Sequence, residues 1–260
     1  MNDLARDDDF GRDVFPDPLV GFARAREHPG VVVLDGLHPL KHASRFNGDL
    51  VRVVVHDLER TLGLAKHLAP DLVERITDAE VVSPATFAKL APRPNATGVM
   101  TIARRPAVDI GSVLSEAVAP VVLLEDPRDH GNIGACIRVA AAAEAAALLT
   151  TGDHDPWAAA AIAGSAGLHF ALPVARVPSP IDLAGRSVIA LDPEGTDLRP
   201  SDLPERSVLV FGNERRGLSD AMLSRADARL RLPMAPGVSS INLAASVAAV
   251  LYAWRLSRSR

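Results

Sequence analysis

Cysteine is almost missing from this 260-residue chain, Cys136 being the only one. A single thiol closes no intramolecular disulfide and builds no thiolate zinc cluster. Aromatic residues are scarce at 4%, which moves core packing onto Ala, Val and Leu. No apolar run approaches the ~20 residues that a membrane-spanning helix needs. The acidic N-terminus lacks the apolar segment of a secretory signal. These absences lead us to expect a soluble, cytoplasmic protein with no membrane and no metal partner.

A basic field is absent as well. Net charge is −4, and the first twenty residues, with six aspartates against two arginines, account for all of it. The remainder is balanced, so composition neither announces a nucleic-acid partner nor excludes one. Residues 1–20 read as a solvated, flexible acidic arm. An apolar fraction of 48% is enough for a real core in one large domain or two modest ones.

What the chain does have is short apolar segments alternating with helical ones. Strands are expected at 31–34, 51–55, 81–82 and 99–103, with helices after Gly36, over 58–68, and from Ser83 to Leu90. This makes a small α/β unit over 21–105, followed by a linker over 106–118. A second series fills 119–260, with strands at 121–124, 148–150, 174–177, 187–191, 207–211 and 230–232. Its helices are expected over 133–146, 158–163 and 218–223, and from Ser239 to Trp254. Such strands fit a mostly parallel sheet covered on both faces. Ligands of these sheets sit beyond the carboxyl ends of the strands, where the loops at 126–132, 212–217 and 233–240 fall.

The first loop leads into Asn132-Ile-Gly134-Ala-Cys-Ile-Arg138, with Gly131 and Gly134 read as permitting a tight turn. It is neither a dinucleotide fingerprint nor a P-loop. The second, Gly212-Asn213-Glu214-Arg215-Arg216-Gly217, sets a carboxylate and two arginines between glycines directly after an apolar strand. In the third, Leu232-Pro233-Met234 leads to Ser239, Ser240 and Asn242, where Ser240 reads as the N-cap of the last helix. No charge lies between Ser239 and Trp254, so that helix should be largely buried behind an electropositive end. Ser165 fails the G-x-S-x-G pattern. Asp153-His154-Asp155 has no ligand-spaced partners for a metal. Cys136 reads as core.

In order and spacing, the three loops resemble the SpoU/TrmH-type RNA ribose 2′-O-methyltransferases of the SPOUT class. Asn132, Gly134 and Arg138 match N-x-G-x-x-x-R; Gly212, Glu214 and Gly217 match G-x-E-x-x-G; Leu232-Pro233-Met234 with Ser240-Ile241-Asn242 matches the third motif. The sequence departs from the family at Asp129-His130, where Asn-Pro is common, at Glu144, where glycine is common, and at Ile241, where leucine is usual.

The resemblance implies a SPOUT-type α/β catalytic domain with a C-terminal trefoil knot, preceded by a small α/β substrate-binding domain. It implies S-adenosylmethionine as cofactor, with a wall formed by Thr150, Thr151, Gly152, Leu191, Phe211, Gly212, Asn213, Glu214, Gly217, Leu232, Pro233, Met234, Ser240, Ile241, Asn242 and Ala245. Chemistry would fall to Arg138, Asn132, Glu214, Ser240 and Asn242. RNA contacts are expected from Lys41, His42, Arg45, Arg52, Arg104, Arg105, Arg128 and Arg138. The implied assembly is a homodimer through the knotted region. The implied reaction is methylation of a ribose 2′-hydroxyl in structured RNA, ribosomal before transfer RNA; a non-catalytic RNA-binding relative is the alternative.

Overall fold

The computed structural model describes residues 10–91 and 95–258. The chain divides into two compact units, Met1–Ala107 with Ala166–Ala171, and Val108–Ser165 with Leu172–Arg260.

The first unit contains α1 (Pro18–Glu27), β1 (Val31–Asp35), α2 (Leu37–Arg45), β2 (Leu50–Val55), α3 (Leu58–Leu68), α4 (Val73–Thr77), β3 (Glu80–Val81), α5 (Pro84–Leu90) and β4 (Val99–Arg104). Strand order is β1-β4-β2-β3, with β4 antiparallel to both β1 and β2 and β3 parallel to β2. Asp17, Asp57 and Ser83 start α1, α3 and α5 by accepting backbone N–H bonds from the first turn. One core holds Phe22, Val31, Val54 and Ile102; a second holds Leu40, Val55, Leu72 and Val99. Adjacent β2 residues Val54 and Val55 thus feed opposite faces, as strand periodicity requires.

Two expectations change here. The acidic arm was drawn through residue 20, of which residues 1–9 lie outside the described residues. From Phe10 onward the segment is packed: Phe10 is 2% exposed and stacks on Phe15 at 5.5 Å. Arg52, expected on RNA, is 5% exposed; it donates to the Phe15 and Pro16 carbonyls at 2.6 and 3.3 Å and pairs with Glu80 at 2.8 Å. It fastens the N-terminal segment to the sheet.

The second unit contains α6 (Ile110–Glu116), β5 (Val121–Leu124), α7 (His130–Ala142), β6 (Ala147–Thr150), α8 (Ala159–Ser165), β7 (Val174–Arg176), β8 (Ser187–Asp197), β9 (Ser207–Phe211), α9 (Asp220–Arg225), β10 (Ala228–Arg231) and α10 (Leu243–Arg258). Helix α6 lies inside the stretch expected to be linker. Strand order is β10-β8-β9-β5-β6-β7, and every pairing is parallel. Central strands β5 and β9 are fully buried, which is why they read as near-continuous apolar runs.

Gly134 proves to have a different purpose from the expected turn. It lies inside α7, and a Cβ there would sit 2.2 Å from the Ala161 carbonyl oxygen of α8. The motif glycine lets two helices approach. Among the described residues no helix is long and apolar enough to cross a membrane, and no cluster of three or more His, Cys, Asp or Glu could hold a metal.

Candidate functional site

Strands β5 and β9 lie side by side, but the chain leaves them in opposite directions. From β5 it passes through α7 to β6; from β9 it passes through α9 to β10. The crevice at such a reversal is where doubly wound sheets bind ligands. The loops after β5 and β9, and the loop from β10 into α10, supply the side chains here.

Asp129 caps α7, its Oδ1 accepting the Asn132 N–H at 2.7 Å. This holds Asn132 in the first turn, where its Nδ2 donates to Glu214 Oε1 at 3.1 Å. The other carboxylate oxygen of Glu214 accepts the Arg128 N–H at 3.1 Å. Asn242 Nδ2 donates to Asn132 Oδ1 at 2.9 Å, and Asn242 Oδ1 accepts the Ala244 N–H at 2.9 Å. Because an ionised carboxylate only accepts, every amide in this chain has one orientation. Donation runs from the first turn of α10 through Asn242 and Asn132 to Glu214, each bond polarising the next. Asn242, rather than the expected Ser240, therefore caps α10.

Glycine geometry fixes the second loop. A Cβ on Gly212 would meet the Gly217 carbonyl carbon at 2.3 Å. Gly217 has φ +70° and exchanges two backbone bonds with Asn213, at 3.0 and 2.9 Å. Asn213 is buried; its Nδ2 donates to the Asp126 carbonyl at 2.7 Å and its Oδ1 accepts the Arg215 N–H at 2.9 Å. Asp126, which sequence reasoning passed over, is a second hub. Its φ is +46°, in the left-handed region that is uncommon outside glycine and that Asp enters more readily than most residues. Thr151 Oγ1 accepts its N–H at 3.1 Å. Only its position two residues past the end of β5 could have signalled it.

The remaining expected residues fall as follows. Thr150 ends β6 fully buried, with an Oγ1 that has no partner. Gly152 has φ +79° and leaves room for the Asp126 carboxylate, which a Cβ would approach to 2.4 Å. Leu191 and Phe211 are paired across β8 and β9. Leu232 and Met234 are half-buried, whereas Pro233, Ser240, Ile241 and Ala245 are exposed. Arg138 is exposed on α7, and no hydrogen bond or ion pair joins it to the described residues. No hydrogen bond joins it to the Asn132–Glu214–Asn242 chain. Cys136 is buried, and burial and then the Glu214 charge push its thiol up. In the first unit Arg45 is paired with Asp71 at 2.6 Å, Arg104 with Asp49 at 3.0 Å, and Arg105 donates to the Val31 carbonyl at 3.0 Å. Lys41 is half-buried. His42 bonds through Nδ1 to the Ala166 carbonyl at 2.6 Å, and burial holds its pKa below the ordinary value.

A sequence model described as the SpoU rRNA Methylase family matches residues 119–252, which span all three loops. The chain belongs to this family. A 23S rRNA (uridine(2479)-2′-O)-methyltransferase of Streptomyces viridochromogenes is 29% identical over 249 residues, covering 90% of this chain and 85% of that protein. The crystal structure of the SpoU methyltransferase AviRb from Streptomyces viridochromogenes, in complex with the cofactor AdoMet, is similar at a TM-score of 0.74 and 25% identity, covering 92% of this chain and 98% of that one. An AdoMet-bound rRNA methyltransferase from Sinorhizobium meliloti shares the fold at a TM-score of 0.75 and 24% identity, over 95% of this chain and 97% of that one. In this SpoU-family chain the motif residues Asn132, Glu214 and Asn242 form one hydrogen-bonded unit, while the motif arginine stands apart on the surface.

Proposed function

We propose that this SpoU-family protein transfers a methyl group from S-adenosylmethionine to a ribose 2′-hydroxyl of structured RNA, with ribosomal RNA as the substrate. One observation carries this reading. Three motifs far apart in sequence converge into a single polarised hydrogen-bond chain at the switch point of a parallel sheet.

The donor set suits the cofactor. Met234, Val238 and Ile241 offer apolar surface, Ser240 a free hydroxyl, Thr150 a buried hydroxyl lacking a partner, and Glu214 a carboxylate. Leu232–Met234 and the loop from Gly212 to Gly217 would hold adenine and ribose through backbone groups, with Thr151 and Gly152 alongside. Bound cofactor supplies an electrophilic methyl on a sulfonium. The protein's task is alignment of the attacking 2′-oxygen and removal of its proton. An arginine guanidinium has five N–H donors and no acceptor, so Arg138 is a poor base. Its role in this reading is to hold the RNA phosphate and 2′-hydroxyl, with proton removal depending on that phosphate.

The same reading includes a trefoil knot formed by the loops after Phe211 and Leu232, and a homodimer through α10. Ala245, Ala249, Tyr252 and Leu256 are exposed on one face of α10 at helical spacing. A second copy on that face would bury this apolar stripe and bring its Arg138 to the site. We place the enzyme in the cytoplasm, with its RNA.

Methyl transfer from labelled cofactor to ribosomal and transfer RNA, followed by alkaline hydrolysis, tests the assignment. A 2′-O-methyl blocks cleavage at its own position. Label on a base with normal cleavage overturns ribose as the acceptor, and label confined to transfer RNA overturns the substrate. A non-catalytic relative would transfer nothing; retention of both Arg138 and Asn242 speaks against it.

A further inference from the structure

We propose that Arg216 and Arg128, pre-set by Asp126, form a clamp for an RNA backbone phosphate at the mouth of the site. This rests on the methyltransferase reading and deepens it by naming substrate contacts that the family motifs leave open.

The clamp is built from the inside outward. Asp126 is locked through its backbone by Thr151 Oγ1 and Asn213 Nδ2, at 3.1 and 2.7 Å. Its side chain fits a notch that exists because residue 152 has no Cβ. Oδ2 accepts from Arg216 Nη2 at 2.6 Å and faces Arg128 Nε at 3.6 Å. The backbone beneath Arg216 is fixed too, since its N–H and that of Arg215 donate to Asn213 Oδ1 at 3.3 and 2.9 Å.

Stability does not explain the arrangement. The Arg216 and Arg128 side chains are 69% and 53% exposed, and ion pairs this open contribute little. Asp126 meanwhile keeps a positive φ of +46°, a region that only a few per cent of non-glycine residues occupy. Non-glycine residues in this region cluster at ligand clamps and active sites.

The other carboxylates nearby are already occupied. Glu214 accepts from Asn132 and Arg128 N, and Asp129 accepts from Asn132 N. Each guanidinium has five N–H groups, and Arg216 uses one of them on Asp126. The remaining donors, on two cations held by a shared anion, match the oxygens of a phosphodiester. Holding the forks in place beforehand removes ordering cost when RNA binds.

The test measures binding of an unmodified 23S rRNA transcript across a salt series, together with cofactor affinity and methyl transfer. Arg216→Ala is expected to weaken RNA binding about five-fold or more and to lower the slope of log affinity against log salt by about 1. Cofactor affinity stays at the wild-type value. Arg216→Lys keeps the slope, because the charge remains. Asp126→Asn also keeps the slope, but slows transfer at saturating RNA because the forks are no longer set. An unchanged slope in Arg216→Ala overturns the clamp, as does an equal loss of cofactor binding, which would make Arg216 merely structural. Wild-type protein that binds the transcript without methylating it overturns the enzymatic reading instead, and the slopes still decide the clamp. Wild-type protein that does not bind overturns both.

Discussion

Asn242 donates from Nδ2 to Asn132 Oδ1 at 2.9 Å, joining two side chains 110 residues apart in sequence. The same Asn242 caps α10 through its Oδ1. One residue thus fixes a helix start and orients the amide that Glu214 accepts.

Replacements at Asn242 should separate those two duties. Asn242→Ala removes the cap and is expected to cost about 1 kcal/mol of stability. Asn242→Asp keeps an acceptor for the α10 N–H groups, so its melting temperature stays near wild type. It has no donor for Asn132, whose amide must then choose between two carboxylates. Turnover should fall by about 10²-fold, a size typical of small misplacements. Wild-type turnover in Asn242→Asp would show that the polarised chain is not needed.

Arg138 is expected to act in the partner's site. Arg138→Ala should bind cofactor normally and lose turnover. Mixing refolded Arg138→Ala with Asn242→Asp lets one site of each mixed dimer carry both native residues. Activity that neither variant has alone is the expected result. Absence of recovery, with mixed dimers confirmed by mass, would confine both residues to one subunit.

Arg186 is a structural clamp that no motif marks. It is 3% exposed, and its guanidinium donates to the carbonyls of Leu114, Ala119 and Ser207 at 2.8, 3.0 and 3.2 Å, and to that of Ala117. It thereby ties the C-terminal end of α6 to the sheet. Arg186→Met leaves several buried carbonyls without donors and should destabilise by about 3 kcal/mol. Denaturant titration followed by tryptophan fluorescence measures this; a change below about 1 kcal/mol would mean that water replaces the arginine.

Glu144 ends α7 in the left-handed conformation, φ +59°, with Ala145 N–H bonded back to the Ala140 carbonyl at 2.9 Å. This is the helix-ending position where glycine is favoured. Glu144 is compensated by ion pairing with Arg255 at 2.7 Å, and the bond to that arginine lowers its pKa. Glu144→Ala and Glu144→Gly both lose the pair, but only Gly relieves the backbone. The Gly variant should be more stable than the Ala variant by about 1 kcal/mol. Equal melting temperatures would show that the αL conformation costs nothing here.

The sequence by itself determined what depends on local pattern. Buried parallel strands such as 121–124 and 207–211 were legible to the residue, because strands covered on both faces are predominantly apolar. The three motif loops were legible because tight geometry restricts residue choice, as at Gly212 and Gly217. Helix boundaries were less so: α10 opens at Leu243 rather than Ser239, since Ser and Asn are both good caps and Asn242 is the one that bonds a side chain of α7. Tertiary structure alone decided the rest. It turned Gly134 from an expected turn glycine into a contact between two helices, withdrew Arg52 from the surface, and set Asp126 under two arginines. Each outcome depends on an atom brought from a distant segment, namely Ala161, Phe15 and Arg216. Spacing along a chain records which residues share a helix face or strand, but not which segment arrives opposite them.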